Sequence, residues 1–392
     1  MDQSRETVVS PRSIPQCALC PNKLTGEHKS GEHVIANAIG GRLIIENFIC
    51  KTCNDRTGHA WDAPLAAQLN GLSMLCDIVR DRGSLQPHKI ITTEGEELEI
   101  RAEGVMRPAR TTFNQTANES GVFVEFTTRT PQEARRILRG LVAKYPHLDI
   151  QALEDQVKVE TVYPKGWLKE SFSVGGPAAG RAIVKSALAM AVHAGLSPAD
   201  CPEALDYLLR PDAEACFGYD YQVDPVEGRQ EGVPLHCVSV RADPGSGLVL
   251  AYVEMFGFYR IVVCLARAYQ GAAVQQTYAV DPRTGETLDL VVDLDLAPAD
   301  IAPLYAYERI PTGSLEAALK PVLALALLRR DERARLQAIE AAVRHGFANC
   351  GAQMGDELSD DQAARLGELV SQHLTPYLEH MLSRRARNPS TQ

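Results

Sequence analysis

Three short segments decide how this chain is read: Cys17-Ala18-Leu19-Cys20, residues 31–43 (GEHVIANAIGGRL) and residues 47–55 (NFICKTCND). Each outer segment contributes a CxxC pair, Cys17/Cys20 and Cys50/Cys53, with twenty-nine residues between the pairs. Four thiolates in two such knuckles make a tetrahedral ligand set for one structural Zn²⁺. The interval is longer than a simple zinc ribbon needs. The excess is explained if a strand and loop with their own task are threaded between the knuckles. The Glu32-His33 pair lies on that thread. A zinc staple also suits a segment too small to fold unaided.

The rest of the composition narrows the setting. The chain has 392 residues, 45% hydrophobic and 23% charged, enough for two or three domains with real cores. No apolar run is long enough for a bilayer span. The start, MDQSRETVVSPRS, lacks the basic-then-apolar order of a signal peptide. A cytoplasmic location without a membrane partner is therefore expected, and disulfides are not. The six cysteines outside the knuckles (Cys76, Cys201, Cys216, Cys237, Cys264 and Cys350) then read as small buried hydrophobes. Net charge is −10, yet residues 1–62 balance seven Lys/Arg against seven Asp/Glu. The acidic excess lies downstream, which argues against a protein coated in nucleic-acid-binding surface but leaves room for a local site.

Along the chain, residues 1–14 read as a flexible lead-in. The apolar positions Leu65, Leu69, Leu72, Leu75 and Cys76 predict a helix from Asp62 to about Arg82, and Gly83-Ser84 marks a domain boundary. Beyond it come expected strands at 89–93, 98–102, 122–128, 157–162 and 168–174. A helix opens at the capping box Thr130–Glu133, and an Ala-rich helix covers 179–194. A meander of strands over 238–293 follows, with Asp243-Pro244-Gly245-Ser246-Gly247 as a hairpin turn. Helices at 315–347 and 359–382 close the chain, ahead of a basic tail at 384–387 that reads as disordered.

The order of paired knuckles, acidic-His, Gly-Gly, Asn47 and an Asn after the last Cys resembles the HNH endonucleases, in their four-cysteine zinc branch. The resemblance covers about Cys17 to Asp62 and implies a ββα-metal fold that hydrolyses nucleic-acid phosphodiester bonds. It implies His33 as general base and Glu32 as acidic ligand to a catalytic Mg²⁺ or Mn²⁺. Asn47 would brace the loop and orient His33, Asn54 would be the second ligand to that metal, and Asp62 would be a further acidic residue without a defined role. Two departures stand out: Ala36 occupies a position where the family usually has Pro, and Glu32 replaces the commoner Asp. The chemistry is coherent by itself. A histidine titrating near 6.5 can activate water at neutral pH, and an oxygen-rich site suits a hard cation that offsets charge at the phosphate. Adjacent strand residues point to opposite faces, so Glu32 and His33 face different partners unless the strand end twists.

The expected fold class is therefore α+β: an N-terminal zinc-stapled HNH domain over 1–82, then a larger mixed body over 83–392 with a helical C-terminus. The expected partner is DNA, double-stranded more than RNA, in a restriction or antiviral defence setting. The body shows no recognisable catalytic set. Its domain arrangement is similar to that of bacterial effectors that fuse an HNH head to a cyclic-oligonucleotide sensor, which leaves open a homo-oligomer and a nucleotide ligand on the body. The competing reading is a non-catalytic zinc-dependent module that binds nucleic acid or a protein partner.

Overall fold

The computed structural model describes residues 15–102, 104–118, 121–353, 355 and 357–387. The lead-in expected at 1–14 lies outside them. The chain is mixed α+β and divides into two compact units. One comprises residues 1–85 with 172–326, the other 86–171 with 327–392. This division cuts across the single 83–392 body expected from the sequence. Gly83-Ser84 does fall where the first unit is interrupted, but the chain returns to that unit at Phe172.

The first unit is built on a six-stranded antiparallel sheet. Its order is Thr287–Leu288, Val274–Val280, His236–Asp243, Leu248–Met255, Tyr259–Ala266, Phe217–Tyr219. All eight residues of the central Leu248–Met255 strand are buried, so both sheet faces are covered. Leu248, Leu250 and Tyr252 pack with Val292, Leu294, Leu296, Ile301 and Leu304 on one face. Each such aliphatic side chain contributes about 1.5–3 kcal/mol when fully buried. The helix Gly176–His193 packs on the sheet and also on the N-terminal segment. It is buried through Ala182–Ala191 without a break, as expected of a helix covered all round. Its many alanines let strands and neighbouring helices approach closely.

The turns are those the residues demand. Asp243 accepts the N–H of Gly245 on its side chain (2.9 Å), and Gly247 takes φ 73° to close the hairpin. At the other end of the Leu248–Met255 strand, Phe256 (φ 58°) and Gly257 (φ 75°) form the left-handed pair of a tight hairpin. Phe256 is held there by His236, whose Nδ1 accepts the Phe256 N–H at 3.0 Å.

The N-terminal segment docks on this sheet. The Nε2–H of buried His236 donates to the Ile39 carbonyl (2.7 Å), and the Tyr278 hydroxyl accepts the N–H groups of Arg42 (3.0 Å) and Leu43 (3.1 Å). The Gly40-Gly41 pair has two physical causes. Gly40 sits at φ 98° against Pro282, and a Cβ on Gly41 would lie 1.8 Å from the Ile35 carbonyl oxygen.

Several sequence expectations need correction. The helix expected over 62–82 runs in pieces, Gly58–Asp62 as a π turn, then Ala63–Gln68 and Asn70–Leu75. It stops because Asp77 adopts φ 60° and the Ile78 N–H returns to the Ser73 carbonyl, freeing 76–82 as a loop. No strand forms over 157–162, where Val159 and Val162 are 82% and 77% exposed with no neighbouring strand to pair. The strand expected over 168–174 shortens to Leu168–Lys169.

The second unit holds a four-stranded antiparallel sheet ordered Met106–Pro108, Glu97–Ile100, His88–Thr92, Leu168–Lys169. It also holds the hairpin Thr112–Asn118 with Gly121–Thr127 and the helix Pro131–Lys144, capped by Thr130 as expected. The C-terminal helices are Ser314–Asn349, divided between the units after Ala326, and Asp360–Arg387. The second begins in the capping box of Ser359 and Gln362. Residues 384–387 are helical rather than disordered, because Arg384 grips Asp331 through both guanidinium ends at 2.9 and 3.2 Å. No described helix is long and apolar enough to cross a membrane.

Candidate active site and metal centre

Both knuckles fold around sulfur. The Cys17 N–H donates to the Asn22 carbonyl (2.9 Å), and the Cys17 Sγ accepts the N–H groups of Leu19 (3.4 Å) and Cys50 (3.3 Å). The Ala18 N–H reaches the Phe48 carbonyl (2.9 Å), which ties the first knuckle to the second. All four sulfurs lie within 4.8 Å of one another, with Cys20 and Cys50 Sγ 3.6 Å apart. Tetrahedral Zn–S bonds of about 2.3 Å put sulfurs about 3.8 Å apart, so the set fits structural zinc. Burial opposes ionisation of Cys50, but the Cys53 N–H and the Cys20 and Asn22 side chains outweigh it and bring its thiol down to about 6. Burial pushes Cys53 up. Four crowded thiolates are stable together only around a cation, and the set fits a zinc ion.

From the second knuckle runs the helix Lys51–Thr57, and it carries Asn54. The Asn54 Nδ2 donates to Ser30 Oγ (2.6 Å) and to the Gly31 carbonyl (2.9 Å), so the helix fixes the backbone entering the strand Glu32–His33. The Gly31 carbonyl can only accept, which orients the amide and leaves its Oδ1 without a protein partner among the described residues. The strand pairs antiparallel with Ile44–Ile45, Glu32 opposite Ile45 and His33 opposite Ile44.

Glu32 and His33 do face different partners. Glu32 is 4% exposed, and its Oε1 lies 2.5 Å from the Nζ of Lys185. The same ammonium donates to Asp62 Oδ2 at 2.5 Å. Lys185 is itself 2% exposed, in the middle of the helix Gly176–His193, where a lysine is almost never found unless paired. Burial works against the ammonium, but Asp62 and Glu32 outweigh it and raise its pKa. Burial also raises the pKa of Glu32, with Lys185 opposing. Two carboxylates thus converge on one point, an arrangement that suits a cation, and Lys185 supplies that cation. A divalent ion at Glu32 has to share or displace it.

His33 is half-buried on the opposite side. Its Nε2 has no hydrogen-bond partner among the described residues and lies 3.9 Å from Asp81 Oδ2. Burial, aided by Arg82 and Arg42 against Asp81 and Asp62, holds its pKa below the ordinary 6.5. The ring is neutral at physiological pH, and its Nε2 is buried without a partner among the described residues.

The asparagine that hydrogen-bonds the loop beside His33 is Asn37. Asn47 is exposed and makes no hydrogen bond among the described residues. Asn37 instead accepts the N–H groups of Asp81 (2.9 Å) and Arg82 (3.4 Å) on Oδ1 and donates from Nδ2 to the Arg82 carbonyl (3.2 Å). It thereby sets the two charges beside His33, and Arg42 steadies Asp81 at 3.3 Å. The sequence clue was an Asn one helical turn after the Glu-His pair and just before Gly-Gly. Lys185 offered no local clue at all. The earlier pair Glu27-His28 forms an exposed 3₁₀ turn, and His59 is exposed.

Residues 17–70 match the family described as HNH endonuclease. No curated protein and no solved structure matches the chain. The N-terminal part is thus an HNH domain carrying a four-cysteine cluster suited to zinc, and the match ends well short of half the chain.

Proposed function

We propose that this HNH domain is a working endonuclease that hydrolyses phosphodiester bonds in double-stranded DNA. The observation that carries the reading is His33: a half-buried imidazole held below its ordinary pKa, with its Nε2 uncommitted. In the reaction His33 takes the proton from the attacking water at that nitrogen. Asp81, placed by Asn37 and Arg42, stands 3.9 Å away and stabilises the imidazolium that results. Glu32 and the free Oδ1 of Asn54 are the side chains that would hold a catalytic Mg²⁺ or Mn²⁺, with Asp62 beside them. When bound, that ion offsets charge developing on the phosphate and leaving oxygen. The zinc cluster keeps the hairpin and the Asn54 helix in register without touching substrate.

A role in restriction or antiviral defence fits a nuclease head joined to a larger acidic chain that governs when it meets DNA. The other unit would then sense, target or oligomerise. The specific observation favouring such control is Lys185, which already neutralises the acidic pair at Glu32. The test is a plasmid cleavage assay with Mg²⁺ or Mn²⁺, comparing wild type with His33→Ala. Cleavage by wild type and its loss in the variant, at unchanged zinc content and melting temperature, is the expected result. Equal cleavage by both proteins would refute the role of His33. Absence of wild-type cleavage with either ion, alongside retained DNA binding, would favour the non-catalytic module.

A further inference from the structure

Away from the HNH site, the first unit contains a cleft of about 290 Å³ at the start of the helix Gly176–His193. Its walls are aromatic. Phe217 and Tyr219 alternate on the edge strand Phe217–Tyr219 and so face the same way, while Tyr207 meets Phe217 edge-on at 5.8 Å. Tyr307 stacks on Tyr219 with ring centroids 5.8 Å apart and planes inclined by 26°. The walls are set firmly. A Cβ on Gly218 would lie 2.2 Å from the Leu304 carbonyl oxygen, which shows how tightly this strand is pressed into place.

Two features of this cleft offer chemistry to a ligand. Tyr307 takes φ 60°, a conformation unfavourable for a bulky residue, yet its side chain is 53% exposed. That conformation closes the helix Ile301–Tyr305, with the Tyr307 N–H on the Leu304 carbonyl (3.2 Å) and the Glu308 N–H on the Pro303 carbonyl (3.0 Å), and it leaves the ring half exposed. Arg181 lies with its guanidinium 5.0 Å from the Tyr207 ring centroid and forms no ion pair among the described residues. Its hydrogen bonds go to the backbone carbonyls of Pro177, Arg210 and Pro211, which position the charge without neutralising it. The lip opposite is open, since a Cβ on Gly176 would meet nothing within 4 Å.

From these observations we infer that the cleft binds a nucleotide, its base stacked on the outer face of Tyr307 and its phosphate paired with Arg181. Flat rings on tyrosine and a phosphate on a guanidinium are the chemistry that the walls and the charge match. The volume lies at the small end of ligand pockets and admits one nucleotide unit. That unit is either a free mononucleotide or one residue of a strand. The site uses none of the HNH residues, so it stands or falls independently of cleavage. It does adjoin the HNH domain: Gln68 accepts the Gly175 N–H (2.9 Å) and donates to the Gly175 carbonyl (3.0 Å) at the rim.

The test is calorimetric titration of the full chain with AMP, GMP, CMP and UMP, with adenosine, and with a 5′-phosphorylated pentanucleotide. Variants are Tyr307→Gly, which keeps the left-handed backbone without strain, and Arg181→Gln. Binding of at least one phosphate-bearing ligand is expected. Each variant should weaken it by about tenfold or more, and adenosine should bind at least about tenfold more weakly than AMP where AMP binds. Saturation by a mononucleotide identifies a free ligand; saturation by the pentanucleotide alone, sensitive to Tyr307→Gly, identifies a strand. No binding of any ligand at about 1 mM, or Tyr307→Gly binding as wild type does, would overturn the inference.

Discussion

Replacing Lys185 by Met tests the centre of the site most directly. Methionine matches the length of the lysine stem but removes the ammonium, leaving Glu32 (4% exposed) facing Asp62 with no cation between them. Breaking a buried ion pair from one side costs about 3–5 kcal/mol, because a charge remains uncompensated. At about 2–4 °C per kcal/mol for a domain of about 150–250 residues, that is a fall in melting temperature of roughly 6–20 °C. The loss has a pH signature. Burial already raises the Glu32 pKa, and Lys185 restrains the rise. Without Lys185, the folded-state pKa sits further above its unfolded value. A raised carboxyl favours the fold below the unfolded pKa, and that benefit is lost as pH rises, so the deficit should be larger at pH 8 than at pH 5. Adding Glu32→Gln should recover most of the stability, since an amide carries no charge to strand. Mn²⁺ should raise the melting temperature of Lys185→Met more than that of wild type or the double variant. Thermal unfolding by circular dichroism reads all of this. A single variant within about 1 kcal/mol of wild type, or a double variant no better than the single, refutes the buried triad.

Chelation of zinc, or Cys50→Ser, should release the metal and unfold the N-terminal domain. A structural zinc contributes about 10–16 kcal/mol, which matches or exceeds the net stability of most domains, and metal analysis with amide exchange over 32–45 would follow the loss. Asn37→Ala should cost about 1–2 kcal/mol and slow cleavage by freeing Asp81 and Arg82, whereas exposed Asn47→Ala should stay within about 0.5 kcal/mol; denaturant titration and the cleavage assay compare the two. His236 is neutral and fully buried, and burial lowers its pKa from 6.5 to about 4. A depressed folded-state pKa means that stability is complete above 6.5 and declines as pH falls towards 4, by up to about 3 kcal/mol. Urea titrations at pH 7 and pH 4.5 should show this dependence, and His236→Gln should flatten it.

What was legible in the sequence was chemistry written over short intervals. Four cysteines in two CxxC pairs require one another, and the structure gathers them within 4.8 Å. Gly40-Gly41 announced a backbone that tolerates no Cβ, and Thr130 caps its helix as read, although the Glu133 carboxylate turns to Arg129 instead of closing the box. What was hidden depended on partners far along the chain. Lys185 sits in the run RAIVKSALAM, where helical periodicity marks it as a polar interruption and nothing local names its partners. Asp62 is 123 residues away, and the Tyr278 that receives the Arg42 N–H is 236 residues from it. The helix expected to reach Arg82 fails for the same reason: residues 76–82 leave the helix and supply Asp81 to His33 and Val79 to the Pro282 carbonyl, contacts that no propensity encodes. These long-range contacts alter the meaning of the short-range motif. By spacing alone, Glu32 is a metal ligand. In the fold its charge is already met by a lysine on a helix that also packs on the central sheet, so the acidic pair and the sheet are coupled through one buried side chain. A cation entering at Glu32 would have to share or displace that lysine, which ties the acidic pair to the helix Gly176–His193.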